Sequence, residues 1–256
     1  MDDCFAFDFD GVICDSARET ALTAWRAAHT LWPEAIAAQP DEEQLARFVR
    51  LRPVIETGYE NVVLVALVVR GIHDDAILDR FEHLCQRFID DERLDRADLR
   101  RRFGQARDAW LASDPQSWLD AQGFFPGVVD AINALHAPRC IITTKEDRFT
   151  RVLVQRAGLE VSAERIYALE AFEGGGKRSV LEHLARAHPA SRIHFFEDRL
   201  QTLDRVRDLP GLERYLVDWG YNTAAERELA RTDPRIRLLD IAGFTAVLAR
   251  QQPRGR

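Results

Sequence analysis

The stretch Phe5-Ala6-Phe7-Asp8-Phe9-Asp10-Gly11-Val12 decides how the rest of the chain is read. An apolar run carries two aspartates, one residue apart, into a glycine. Side chains alternate along a strand, so a strand over residues 5–10 puts Asp8 and Asp10 on one face. Gly11 marks its end and a tight turn of the backbone. Two carboxylates then stand at the carboxyl end of a buried strand, where open α/β sheets place their ligands. Clustered carboxylates repel unless a cation or a shared proton relieves them, and an all-oxygen donor set points to Mg2+. Taken alone, the stretch also reads as an Asp-Gly turn closing an ordinary strand.

Working outward, the pattern after Ser16 becomes helical for about a hundred residues, by hydrophobic period. It predicts helices over 20–31, 41–49, 53–70 with a break at Gly58, 74–93, 95–112 and 115–121. Phe124-Phe125-Pro126-Gly127 marks a boundary. Beyond it, strands over 139–143, 165–168, 192–196, 214–217 and 235–239 alternate with helices over 128–136, 148–157, 178–188, 200–208, 223–231 and 243–250. Such alternation implies an α/β fold with a doubly wound, parallel, Rossmann-like sheet. The first strand could bury nothing alone and must join that sheet. The expected organisation is a core domain of residues 1–16 and 125–256, with an all-helical domain of residues 17–124 inserted.

Three more stretches carry chemistry. The strand Arg139-Cys140-Ile141-Ile142 runs into Thr143, Thr144 and Lys145. A hydroxyl beside a helix start suits a phosphoryl oxygen, although threonine is also a common N-cap. Glu173-Gly174-Gly175-Gly176-Lys177 puts a lysine at a helix N-terminus, where a cation is electrostatically disfavoured and needs another reason. Neutralising a phosphate or a carboxylate cluster would be one. Of the 35 Lys plus Arg, only Lys145 and Lys177 are lysine, and a compact point charge fits where a planar guanidinium does not. The glycines form no P-loop, since GxxxxGK[ST] is absent. Finally, Ile193-His194-Phe195-Phe196 delivers two adjacent acids, Glu197 and Asp198, which could also cap the following helix.

In this order, the motifs resemble those of the haloacid dehalogenase-like hydrolases, in their type 1 helical-cap branch near phosphoglycolate phosphatase and β-phosphoglucomutase. Ile13-Cys14-Asp15-Ser16 extends the likeness as DGV-x-x-DS, and Trp219-Gly220-Tyr221 resembles a segment after the fifth core strand of the phosphoglycolate phosphatase-like proteins. The resemblance covers residues 1–16 and 125–256; the insertion matches by position and helical character alone. It implies Asp8 as nucleophile and Asp10 as general acid and base. It implies Mg2+ held by Asp8, Asp10 through its backbone carbonyl, and Asp198, with Glu197 acting directly or through water. Thr143, Thr144, Lys177 and Gly11 would bind the phosphoryl group. Thr202 stands where the GDxxxD version of the last motif has an acid, so Glu197-Asp198 is closer to the Glu-Asp-Ser variant.

The resemblance therefore implies an enzyme, a Mg2+-dependent phosphatase that hydrolyses a small phosphorylated metabolite through an aspartyl-phosphate. A phosphomutase and a catalytically idle binding protein on the same scaffold are the alternatives. A dehalogenase would have little use for Asp10, a metal or the paired acids, and a phosphonatase needs a lysine that 17–124 does not contain. Arg52, in the interrupted stretch 52–60, is the candidate for an anionic group of the substrate, although that stretch also reads as a helix-breaking loop.

Net charge of −7 and a pI near 5.6 argue against nucleic-acid binding. The longest apolar run, residues 62–69, is too short to span a bilayer and fits a buried helix. No secretory signal is apparent. Cys4, Cys14, Cys85 and Cys140 form no CxxC and no zinc spacing. Cys4 and Cys140 fall in expected core strands, where free cysteine packs as a small hydrophobe. A reducing cytoplasm is the expected location.

Overall fold

Short apolar strands bury most residues on both faces, which is why they read as nearly continuous hydrophobic runs. In the computed structural model, which describes residues 3–172 and 174–250, six strands form one sheet. They are β1 (Cys4–Phe7), β2 (Arg139–Ile142), β3 (Ile166–Tyr167), β4 (Ile193–Glu197), β5 (Leu212–Val217) and β6 (Ile236–Leu239). The order is β3-β2-β1-β4-β5-β6, with every pairing parallel. The direction of winding reverses at β1, and such a switch point opens a crevice at the carboxyl ends of the strands. Two shorter strands, Cys14–Asp15 and Gly123–Phe124, pair as a separate ribbon.

The described chain forms two compact units, one from residues 1–15 and 124–256 and one from residues 16–123. In the first, β1 pairs with β4 in the register Phe7 against Phe196. That register stacks the Phe7 and Phe196 rings 5.0 Å apart, and Phe196 on Tyr215 at 4.5 Å. Phe244, from the helix Ile241–Ala249, meets Phe196 edge-on at 5.1 Å. Offset and edge-on ring pairs of this kind add to the area they bury. The other face carries Cys4, Ala6, Cys140, Phe195 and Leu216. All four cysteines are free and buried.

The second unit is helical: Ala17–Leu31, Glu42–Leu51, Gly58–Val69, Asp74–Asp91, Arg96–Ser113 and Pro115–Asp120. Local chemistry sets the boundaries. Asp41 and Gln44 close a capping box, and the Asp95 carboxylate accepts the Asp98 N–H at 2.8 Å. The expected helical stretch over 53–70 is interrupted as its break at Gly58 implied, but the part before the break is not α-helical. Arg52–Val54 is a 3-10 turn, and the α-helix begins only at Gly58, where Glu60 takes the N–H groups of Glu56 and Thr57 at 2.6 and 2.7 Å. Within that helix residues 62–68 are buried, the fate expected of the longest apolar run. No helix among the described residues is long and apolar enough to cross a membrane.

A buried ion pair ties three of these helices together. The Arg107 guanidinium donates to both oxygens of the fully buried Glu19 carboxylate, at 2.8 and 2.9 Å. Trp118 Nε1 and Thr23 Oγ1 also donate to Glu19, at 3.0 and 2.7 Å. A buried carboxylate tolerates this position only while those donors are present. Arg107→Met should lower unfolding free energy by about 3–5 kcal/mol, read by urea denaturation. The double change Glu19→Leu with Arg107→Met should recover much of that loss.

Candidate active site

β1 ends at Phe7, three residues before the expected strand end. The Asp8 N–H still donates to the Phe196 carbonyl at 2.9 Å, but the N–H groups of Ile13 and Cys14 both turn back to the Phe9 carbonyl. The chain therefore leaves the sheet between the two aspartates. Asp8 and Asp10 consequently do not share a strand face, which corrects the reading of 5–10 as one continuous strand. Each carboxylate instead meets its own lysine.

Asp8 Oδ2 lies 2.8 Å from Lys177 Nζ, and its Oδ1 accepts the Phe9 N–H at 2.7 Å. The same ammonium stands 2.8 Å from Glu197 Oε2. Lys177 begins the first turn of the helix Gly176–Ala187, and the carboxylates answer why a cation is tolerated there. Glu173, which opens that stretch in the sequence, lies outside the described residues. Asp10 Oδ1 lies 3.2 Å from Lys145 Nζ, whose side chain is only 2 % exposed. The two lysines of the whole chain thus go to the two aspartates of one motif.

Glu197 closes β4, and Asp198 follows it. Oxygen atoms of Asp8, Glu197 and Asp198 lie within 4.8 Å of one another, and all three residues are buried. Burial pushes the Asp8 carboxyl up to about 7, with the Glu197 charge adding to the shift and Lys177 opposing it. Burial and the charge of Asp8 push Asp198 up to about 6, while the Tyr221 N–H pulls it back. Glu197 is raised too, by burial, against the pull of Lys177. Burial would lower the Lys177 ammonium, but the charges of Asp8 and Glu197 outweigh it and raise its pKa. Three carboxylates against one ammonium leave a formal charge of −2. Buried charge of that size calls for a compensating cation. An all-oxygen donor set fits a hard divalent ion such as Mg2+, which one or two carboxylates hold together with waters and substrate oxygens.

The last motif is secured from below. The Tyr221 N–H donates to Asp198 Oδ2 at 2.7 Å, and Asn222 Nδ2 donates to the Asp198 and Val217 carbonyls, each at 2.8 Å. Trp219 Nε1 reaches the Val12 carbonyl at 3.1 Å, and the Tyr221 hydroxyl donates to Asp15 at 3.0 Å. The Trp219-Gly220-Tyr221-Asn222 segment therefore braces both the loop after β1 and the acid after β4. Space there is tight. A Cβ on Gly11 would fall 2.0 Å from Asp198 Oδ2, and one on Gly220 would fall 2.3 Å from Asp198 Cβ. Gly11 also holds φ at +85°, a region that favours glycine.

Thr143 follows β2 and is buried; its hydroxyl accepts the Lys145 N–H at 3.1 Å, which folds the lysine back beside it. Thr144 is half-buried in the same turn. Arg52 belongs to the helical unit, where its guanidinium donates to the Ile55 carbonyl at 3.1 Å. Two participants carried no assigned role in the sequence reading. Lys145 had a visible signal, since the chain has only one other lysine. Asn222 had none, because its contacts depend on where β5 ends.

A family model described as haloacid dehalogenase-like hydrolase matches residues 3–204. No curated protein matches the chain in sequence. Among solved structures, a haloacid dehalogenase-like family protein, SP0104 of Streptococcus pneumoniae, is similar at a TM-score of 0.61. It has 15% identity, over 96% of this chain and 97% of that one. A predicted phosphatase from Clostridium acetobutylicum gives 0.62 at 12% identity, over 98% and 99%. A predicted phosphoglycolate phosphatase from Haemophilus somnus gives 0.60 at 16% identity, over 97% of each chain.

Gly11→Ala should displace the Asp198 carboxylate or the loop after β1. The expected result is a loss of about 1–3 kcal/mol of stability in thermal denaturation. A divalent cation added in the same experiment should protect the variant less than the native chain, since the Asp198 carboxylate of the acidic cluster is displaced.

Proposed function

We propose that this chain, which belongs to the haloacid dehalogenase-like hydrolases, is a Mg2+-dependent phosphatase acting on a small phosphorylated metabolite. One observation carries the reading. Three buried carboxylates and a buried lysine meet at the switch point of a parallel sheet, with a formal charge of −2 that a divalent cation would balance.

Asp8 is the nucleophile. Its carboxylate oxygen forms a bond to phosphorus as the bond from phosphorus to the ester oxygen breaks, giving an aspartyl-phosphate and an alcohol. Asp10 gives a proton to the departing oxygen and then takes one from the water that hydrolyses the aspartyl-phosphate. Lys145, 3.2 Å from Asp10, holds that carboxylate in place through both steps. Lys177 pairs with Asp8 and Glu197 and neutralises charge on the transferring group. Thr143 and Thr144 supply donors to its oxygens, whereas the Gly11 N–H, expected to join them, is spent on the Cys14 carbonyl at 2.9 Å. Asp8 and Asp198, with the Asp10 carbonyl, would hold Mg2+. When bound, the ion supplies charge neutralisation and orientation of the phosphoryl oxygens. Glu197 is occupied by Lys177 and by the Arg199 N–H at 3.2 Å. We therefore assign it to orienting the lysine and supporting the metal from behind.

Purified protein should release inorganic phosphate from p-nitrophenyl phosphate with Mg2+, and lose that activity in EDTA. Asp8→Asn should remove turnover while the circular dichroism spectrum is retained; measurable activity in that variant would overturn the assignment of Asp8. Lys145→Met tests the handling of Asp10. Nitrophenolate leaves without a proton, whereas an alkoxide needs one. General acid catalysis contributes roughly 100-fold or more, so kcat/KM on an alkyl phosphate should fall at least about tenfold further than on p-nitrophenyl phosphate.

A further inference from the structure

The catalytic groups occupy the carboxyl-terminal edge of the sheet, and the opposite edge holds a second polar cluster that this chemistry does not use. There, a cavity of about 240 Å³ opens beside the end of the last helix, lined by Arg192, His194, Glu213, Tyr215, Arg237 and Arg250. His194 and Tyr215 are buried, in the middle of an otherwise apolar stack against Phe5 and Phe196.

A chain of hydrogen bonds runs through it. His194 Nε2 lies 3.0 Å from Asp3 Oδ2, and His194 Nδ1 lies 2.9 Å from the Tyr215 hydroxyl. Burial opposes charge on Asp3, yet its hydrogen bonds to His194 and Arg192 hold its carboxyl below the usual range. A carboxylate there only accepts, so in neutral His194 the proton sits on Nε2 and Nδ1 accepts from the tyrosine. The tyrosine oxygen is then left to accept from Arg237 Nη1, at 3.3 Å. The direction is thus fixed from Arg237 to Tyr215 to His194 to Asp3. Its outer end is a guanidinium held at the cavity over the Tyr215 ring, 5.3 Å from the centroid.

The charges there are unequal. Asp3 takes Arg192 at 2.9 Å. Among the described residues neither Arg237 nor Arg250 has a carboxylate within ion-pair distance, and Glu213 is the one acid in the lining. Three guanidiniums against Asp3 and Glu213 leave a formal +1 with His194 neutral. Planar guanidiniums match oxyanions by forked, paired hydrogen bonds, and Arg237 has spent one of its five N–H donors. The cavity is smaller than the roughly 300–1,000 Å³ typical of drug-sized ligands, which suits a tetrahedral oxyanion.

We propose that this cavity is a second binding site, distinct from the catalytic crevice, for a small oxyanion of the phosphate class, held by Arg237 and Arg250 and organised by the Tyr215–His194–Asp3 chain. The site stands apart from the catalytic proposal, and its test reads binding instead of turnover. Inorganic phosphate and methyl phosphate would each be titrated calorimetrically into the full chain carrying Asp8→Asn, in EDTA. Saturable binding is expected for at least one of them, and the tighter titrant identifies the free or the esterified anion as the ligand. Adding Arg237→Gln and Arg250→Gln should weaken it at least tenfold. Arg237→Lys, which keeps the charge without the fork, should give an intermediate loss. The circular dichroism spectrum and thermal midpoint of the doubly changed chain should match those of its Asp8→Asn parent, which shows that it folds. Absence of saturable binding, or binding that the double change leaves intact, would overturn the proposal.

Discussion

The repulsion among three carboxylates forced into one dry crevice is the constraint that the rest of the core unit serves. It arises from register. Pairing Phe7 with Phe196 brings the ends of β1 and β4 side by side, and in this chain those ends carry Asp8, Glu197 and Asp198. The aromatic stack of Phe7, Phe196, Tyr215 and Phe244 holds the register. A slip by one residue would turn those rings to the opposite face and scatter the acids. Packing energy in the sheet is therefore what keeps like charges together, and Lys177 offsets only part of the cost.

Placement of the acids also demands empty space. Gly11 and Gly220 approach the Asp198 side chain from two sides, closer than any Cβ would allow. The asparagine and the backbone N–H that hold Asp198 come from the turn after β5. The crevice is thus assembled from the ends of four strands, and no single segment contains it. That division suits an α/β sheet, in which each loop contributes one or two groups to a shared edge.

Much of this was legible in the chain itself. Apolar runs closing in Asp8, Thr143 and Glu197-Asp198 located three strand ends, because buried parallel strands have a strong compositional signature. Lys177 stood out for sitting where a helix dipole disfavours it. Less was legible where short-range geometry competes with pattern. The strand over 5–10 stopped early because the turn onto the Phe9 carbonyl outcompetes the ladder. Ahead of the expected break at Gly58, the stretch 53–57 is not α-helical, because Glu60 takes the N–H groups of Glu56 and Thr57 and starts the helix only at Gly58. Asp10 and Lys145 could not be paired from the sequence, since the contact depends on how the chain turns after Phe7 and after Thr143.

The near-exclusive use of arginine has a practical corollary. Lys145 and Lys177 are the only side-chain amines in the protein, and both are buried against Asp10 and Asp8. Acylating reagents, aldehyde fixatives and amine-directed couplings find no harmless surface target beyond the α-amino group. Enzymes that attach acetyl groups or ubiquitin to lysine face the same scarcity. Any label that does reach a lysine in the folded protein reports directly on the crevice.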